Sequence, residues 1–179
     1  MSPLRPLTLA LACAAALPGL TRAQAGMLVG PALEIGNSAY GRGVSLTGTF
    51  GFRTTARLGM RFDLGVQTFN SNTLIAYACP RPPLTCGATG GQGLTVVSST
   101  ANVVLTERPQ ERNSFYWMAG LGAYALNDGP YEGAYTRFGW NGGGGIRFGS
   151  NIVIEFRYHR LINPRTTRGF VPIAVGFHL

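Results

Sequence analysis

Residues 57–68 alternate without a break: Leu58, Met60, Phe62, Leu64 and Val66 fall on one side, and Arg57, Gly59, Arg61, Asp63, Gly65 and Gln67 on the other. A period of two held this long is the signature of a β-strand with one apolar and one polar face, because successive side chains of a strand point in opposite directions. The pattern returns at residues 151–161, where Ile152, Ile154, Phe156 and Tyr158 oppose Val153, Glu155, Arg157 and His159. At the C-terminus Val171, Ile173, Val175, Phe177 and Leu179 alternate with Pro172, Ala174, Gly176 and His178. Weaker versions run through residues 27–35, 44–53, 94–106, 115–126 and 135–148. Together these predict an all-β chain of eight strands, most of them near the ~9–11 residues that a tilted strand needs to cross a bilayer. In residues 94–106 the alternation is too blurred to assign the faces.

The links between strands alternate in length. Short ones at residues 54–56, 107–113 and 149–151 are interleaved with longer ones at 36–42, 70–93, 127–134 and 162–169. Successive turns of an up-and-down barrel lie at opposite ends, so one end carries short turns and the other long loops, the habit of barrels of the bacterial outer membrane. The expected fold is a closed antiparallel transmembrane β-barrel.

The N-terminus reads as an export signal. Arg5 precedes an apolar stretch at residues 7–17, and Ala23-Gln24-Ala25 forms an A-x-A cleavage site. Residues 1–25 are expected to be a secretory signal peptide and 26–179 a single barrel domain beginning at Gly26. The apolar stretch is shorter than the ~20 residues of a spanning helix, and Pro18-Gly19 breaks it.

Once the chain has left the reducing cytoplasm, Cys79 and Cys86, close together in a Pro-rich stretch, are expected to form a disulfide, with two free thiols as the alternative. Two cysteines and two distant histidines offer no metal-ligand spacing, and no cofactor motif is present.

The net charge is +8, and all fifteen cationic side chains are Arg. They are scattered without a cluster or a nucleic-acid-binding motif, so nucleic acid is not expected as a partner. Attraction to membrane lipid and to lipopolysaccharide phosphates suits the charge better.

Whether the apolar face looks outward is decided by the polar one. It carries Gly59, Gly65, Gly120, Gly122, Gly139, Gly143 and Gly145, suited to a crowded narrow lumen, and charges of both signs. Glu34, Asp63 and Glu155 accompany Arg57, Arg61, Arg137, Arg147, Arg157 and His159. In a narrow lumen such charges must pair. These nine residues are expected to form an internal charge network rather than an open pore. On the apolar face Phe50, Phe52, Phe115, Trp117, Phe148 and Phe177 lie towards the short-turn end and Tyr158 towards the other, as aromatic girdles at two interfaces would. The alternative is a soluble secreted barrel with an apolar ligand inside, its lumen lined by Phe62, Ile154 and Phe156.

The last strands carry recognisable words: Gly142-Gly143-Gly144-Gly145-Ile146-Arg147-Phe148, Ile154-Glu155-Phe156-Arg157-Tyr158-His159, and Phe170-Val171-Pro172-Ile173-Ala174-Val175-Gly176-Phe177-His178-Leu179. In these the chain resembles the outer membrane protein β-barrel domain family, small eight-stranded barrels similar to outer membrane protein A and the opacity proteins. The resemblance implies an outer-membrane location and a last strand read by the outer-membrane assembly machinery. Leu179 stands where the family usually ends in Phe, with Phe177 two residues earlier. The Arg157-Tyr158-His159 stretch also resembles lipid A deacylases, which use a His and a Ser two residues later. Here that position is Leu161, so the nucleophile is missing. The expected role is structural or surface-interacting and not enzymatic, with an extracellular partner that the sequence does not name and a lipid A-modifying enzyme as the alternative.

Overall fold

The structure, a computed structural model, describes residues 23–36, 40–71, 74–76, 88–90, 93–127, 134–149, 151–162 and 168–178. Their order is β1 (Ala23–Ile35), β2 (Tyr40–Arg53), β3 (Leu58–Ser71), β4 (Leu74–Ala76), β5 (Ala88–Gly90), β6 (Leu94–Thr106), β7 (Asn113–Asn127), β8 (Ala134–Phe148), β9 (Ile152–Leu161) and β10 (Arg168–His178). Eight of these close into a barrel in the order β1-β10-β9-β8-β7-β6-β3-β2, every pair antiparallel. The seam is β1 on β10, from Gly26 opposite His178 to Ile35 opposite Gly169. Closure leaves no free sheet edge, the condition for strands in a lipid bilayer.

The loop expected at residues 70–93 departs from the reading in one respect. β3 runs on to Ser71, and β4 pairs with β5 as a separate antiparallel hairpin beyond the barrel rim, Leu74 opposite Gly90. Three-residue strands are too short to show a period, so the sequence pattern could not mark them. Cys79 and Cys86 lie outside the described residues, as do residues 1–22 of the expected signal peptide. β1 begins at Ala23, so the expected cleavage after Ala25 falls within a strand whose first residues pair with Phe52, Gly51 and Phe50.

The short-turn end is held locally. The backbone N–H groups of Thr54 and Thr55 both donate to the Leu58 carbonyl at 3.0 Å, and Leu58 N–H donates to Thr55 Oγ1 at 2.9 Å. Gly149, between β8 and β9, has φ of +63°, a backbone conformation that glycine adopts without a steric penalty.

From Leu58 to Val66 the apolar residues of β3 face outward: Leu58, Met60, Phe62, Leu64 and Val66 are 39–69% exposed, whereas Arg61, Asp63 and Gln67 are 5%, 2% and 1% exposed. From Leu58 to Val66 is about 27 Å along the strand, roughly 20 Å along the barrel axis at a ~40° tilt, close to the ~25 Å apolar band of outer-membrane barrels. Phe62, Ile154 and Phe156 point away from the lumen. They cannot line an internal apolar cavity. Phe50, Phe115, Trp117, Phe148 and Phe177 sit exposed near the short-turn end, and Phe138 and Trp140 near the other, where Trp140 meets Tyr158 edge to face. Trp117 also donates its indole N–H to Glu107 Oε1 at 2.7 Å in the short turn after β6.

The blurred strand β6 acquires its facing here. Leu94 and Val96 point inward at the long-loop end, Ser98, Thr100, Asn102 and Thr106 further down, and Val97, Val103 and Leu105 outward. The apolar residues change side along the strand, inward at Leu94 and Val96 and outward at Val97, Val103 and Leu105, which is why no single alternation shows.

Candidate functional site: charges and rings inside the barrel

Two dipeptide-spaced pairs build the centre of the lumen. Arg61 and Asp63 project inward from β3, and Glu155 and Arg157 from β9, since residues two apart share a strand face. β3 and β9 are four strands apart in a ring of eight, so they face each other across the lumen. Both run from the short-turn end towards the loops. The order Arg-then-Asp on one therefore meets Glu-then-Arg on the other with opposite charges at equal height.

The contacts follow. Arg61 engages Glu155 through both terminal nitrogens, Nη1 to Oε2 at 2.7 Å and Nη2 to Oε1 at 3.0 Å, and its Nε reaches Asp63 Oδ1 at 2.9 Å. Arg157 Nη1 donates to Asp63 Oδ2 at 2.8 Å, while its Nε and Nη2 both donate to Glu155 Oε1. Two neighbouring strands complete the group: Asn102 Nδ2 donates to Asp63 Oδ2 at 2.7 Å, and the Tyr116 hydroxyl donates to Glu155 Oε2 at 2.7 Å. All four charged side chains are at most 6% exposed. Two cations balance two anions, and the bidentate Arg61–Glu155 geometry is of the strong, charge-assisted kind.

Glycines make this packing possible. A Cβ on Gly145 would lie 2.5 Å from the Tyr116 hydroxyl, and one on Gly143 2.8 Å from the Arg157 Cα. Side chains there would push Tyr116 and β9 off the carboxylates they position. The run of residues 142–145 is thus a packing device on both faces, for on the outside the Trp117 ring lies over Gly144, 2.9 Å from where a Cβ would be.

Nearer the loops the lumen changes character. Tyr40, Phe69, Leu94, Val96, Tyr124, Leu126, Leu161 and Phe170 form a buried apolar cluster. Phe170 is its centre: Phe69 and Tyr124 meet it edge-on at 5.8 and 6.1 Å, and His159 stacks flat on it at 4.4 Å. The Tyr124 hydroxyl lies 3.0 Å from His159 Nδ1. His159 is 3% exposed and inside the barrel, away from the lipid-facing side, and Leu161 is buried beside it in the same cluster.

Of the nine charges expected to meet, four do. Arg57 is exposed in the turn that the Thr54 and Thr55 hydrogen bonds close, so β3 starts one residue later than read. Arg137 lies over the Tyr135 ring at 5.0 Å, near the loops. Arg147 lies inside the short-turn mouth, below the ion-paired group. Glu34, near the loop end of β1, and His159 stand level with the aromatic cluster. Height along the barrel separates them, and an alternation pattern reports facing but not height. The aromatic cluster itself was missed; the signal for it was the apolar inward residues Leu94, Val96 and Phe170 at strand ends next to the loops.

No protein-family model matches the chain, and no curated protein matches it in sequence. In structure it is similar to the neisserial surface protein A (NspA), with a TM-score of 0.61 and 14% identity over 88% of this chain and 96% of that one. It is similar also to Ail, the attachment invasion locus protein of Yersinia pestis, in complex with the heparin analogue sucrose octasulfate, with a TM-score of 0.52 and 15% identity over 89% and 100% of the two chains. The outer membrane protein OprG of Pseudomonas aeruginosa matches with a TM-score of 0.51 and 10% identity over 90% and 98%. The fold is that of the small eight-stranded outer-membrane barrels. Within such a barrel, lipid-facing and lumen-facing residues alternate along every strand, the division seen in β3 and β9.

Proposed function

We propose that this chain is a non-enzymatic integral protein of the bacterial outer membrane, exported by its signal peptide, with a lumen closed to ions and a surface-interaction role carried by its long loops. The observation that carries the reading is the reversal of ordinary burial: a continuous apolar belt outside and an ion-paired, hydrogen-bonded group inside. A soluble protein does not expose so large an apolar surface, whereas lipid requires it.

The closed lumen rests on two successive constrictions, the Arg61–Asp63–Glu155–Arg157 group and the aromatic cluster around Phe170. Both chain ends then lie in the periplasm with the short turns, and the outer-membrane assembly machinery engages β10 during insertion. The longest loop, with the β4–β5 hairpin and the Cys79–Cys86 disulfide that the sequence suggests, is the surface offered outside; a rigid barrel presenting long loops is a common recognition platform. Membrane lipid and lipopolysaccharide surround the belt, and the cationic excess suits their phosphates. An enzymatic reading centred on His159 is disfavoured by its burial against Phe170 and by Leu161 in place of a nucleophile.

The test is to express the full chain in a bacterium, separate the membranes, and run the outer-membrane fraction unboiled and boiled on a denaturing gel. The expected result is an outer-membrane protein whose band shifts on heating and which gives no steady conductance in a planar bilayer. A soluble periplasmic protein would overturn the membrane reading, and steady single-channel steps would overturn the closed lumen.

A further inference from the structure

Below the ion-paired group, the short-turn mouth holds a cavity of about 50 Å3. Arg53, Arg57, Arg61, Arg147 and His178 line it, and no Asp or Glu does. Arg61 is neutralised by Glu155 and Asp63. Arg53, Arg57 and Arg147 form no ion pair among the described residues; the Arg108–Glu111 pair at the same end is on the surface of a turn. Two buried nitrogens at this mouth have no protein hydrogen-bond partner: Arg147 Nε, and Nδ1 of His178, a side chain only 9% exposed.

A half-enclosed site lined by guanidinium groups and no carboxylate is costly for the fold by itself, because like charges repel in a poorly screened space and a buried cation lacks compensation. Arginine's planar fork matches the oxygens of a tetrahedral oxyanion, and a buried polar atom without a protein partner marks where a ligand atom would be favourable. A cavity this small admits a small oxyanion and has no room for a nucleotide or a sugar.

We propose that the short-turn mouth is an anion site for a phosphate group, held by Arg147 and Arg53 with Arg57 at the rim and His178 as a further hydrogen-bonding group. The phosphate is supplied either free or as the phosphomonoester headgroup of a lipid. Occupancy would balance the mouth's positive charge just as the carboxylates balance Arg61 and Arg157 above it.

The test uses the full chain folded in a non-ionic detergent, so its outcome does not depend on which membrane the protein occupies. Inorganic phosphate is titrated in a chloride background and followed by phosphorus NMR line width, and a short-chain phosphatidate is titrated in parallel. Saturable binding of either probe is expected, weakened at least tenfold in Arg147→Gln and several-fold in Arg53→Gln. Arg108→Gln, which removes a charge at the same end but off the mouth, should bind as the wild type does. Binding of both probes identifies a free-phosphate site open to headgroups, and binding of the phosphatidate alone a lipid site. All variants are checked for the heat-dependent gel shift, so that a folding failure is not read as lost binding. No saturable binding of either probe, or an equal loss in Arg108→Gln, would overturn the proposal.

Discussion

The two halves of the lumen are filled by opposite chemistries. Midway up, four charges from β3 and β9 satisfy one another with 2.7–3.0 Å contacts from Arg61 to Glu155 and with help from Asn102 and Tyr116. Nearer the loops, rings and aliphatic side chains pack around Phe170. The difference teaches where precision is needed. An ion-paired group tolerates no missing partner, because the survivor is a bare charge in a low-dielectric space, whereas an apolar cluster loses only what is cut away and relaxes in part.

The sharpest way to break this comparison is Glu155→Gln, nearly unchanged in shape. It leaves Arg61 and Arg157 sharing one carboxylate, and the expected loss is about 4 kcal/mol of unfolding free energy. The urea midpoint of the heat-modifiable band in lipid vesicles would measure it; a loss below that of any apolar substitution in the upper cluster would contradict the contrast. Second in size is Phe170→Ala, which removes the ring that Phe69, Tyr124 and His159 touch. It should lower stability by about 3 kcal/mol, and Phe170→Leu by about 1 kcal/mol, in the same urea titration. If the leucine variant were as damaged as Glu155→Gln, the upper cluster would be as demanding as the charges.

Tyr116→Phe isolates one hydrogen bond at 2.7 Å to Glu155 while keeping the ring. About 2 kcal/mol is expected, the range for a bond to a charged group, and far-UV circular dichroism should be unchanged. The smallest effect belongs to Arg108→Gln, whose partner Glu111 is 3.3 Å away with both side chains more than half exposed. A shift of less than about 0.5 kcal/mol is expected in the same assay. A large one would show that ion pairs matter here by number rather than by burial.

Most of the fold was legible because a barrel repeats its rule. Residues 57–68 announce facing by alternation, and the short and long links announce which end is which. Both signals are local. The site was legible in kind but not in extent. Arg61 and Asp63 are two apart, as are Glu155 and Arg157, so each pair was visible as inward charge; their meeting depends on the closure that sets β3 opposite β9, with Arg61 and Glu155 94 positions apart in the chain. Arg57, Arg137 and Arg147 share the inward parity of their strands' charges yet end at other heights or outside the barrel. The hairpin β4–β5 left no period to read.

The sequence by itself therefore determined the eight barrel strands, the apolar and polar sides of the clearly alternating ones and the alternation of turns, because these follow from the two-residue period of an extended backbone. Only the tertiary structure decided which inward residues share a level of the lumen: the charges together, the rings above them, and Arg147 with His178 at the mouth. The physical reason is that strand register and closure place residues by distances through space across the ring, and those distances are set by all eight strands at once.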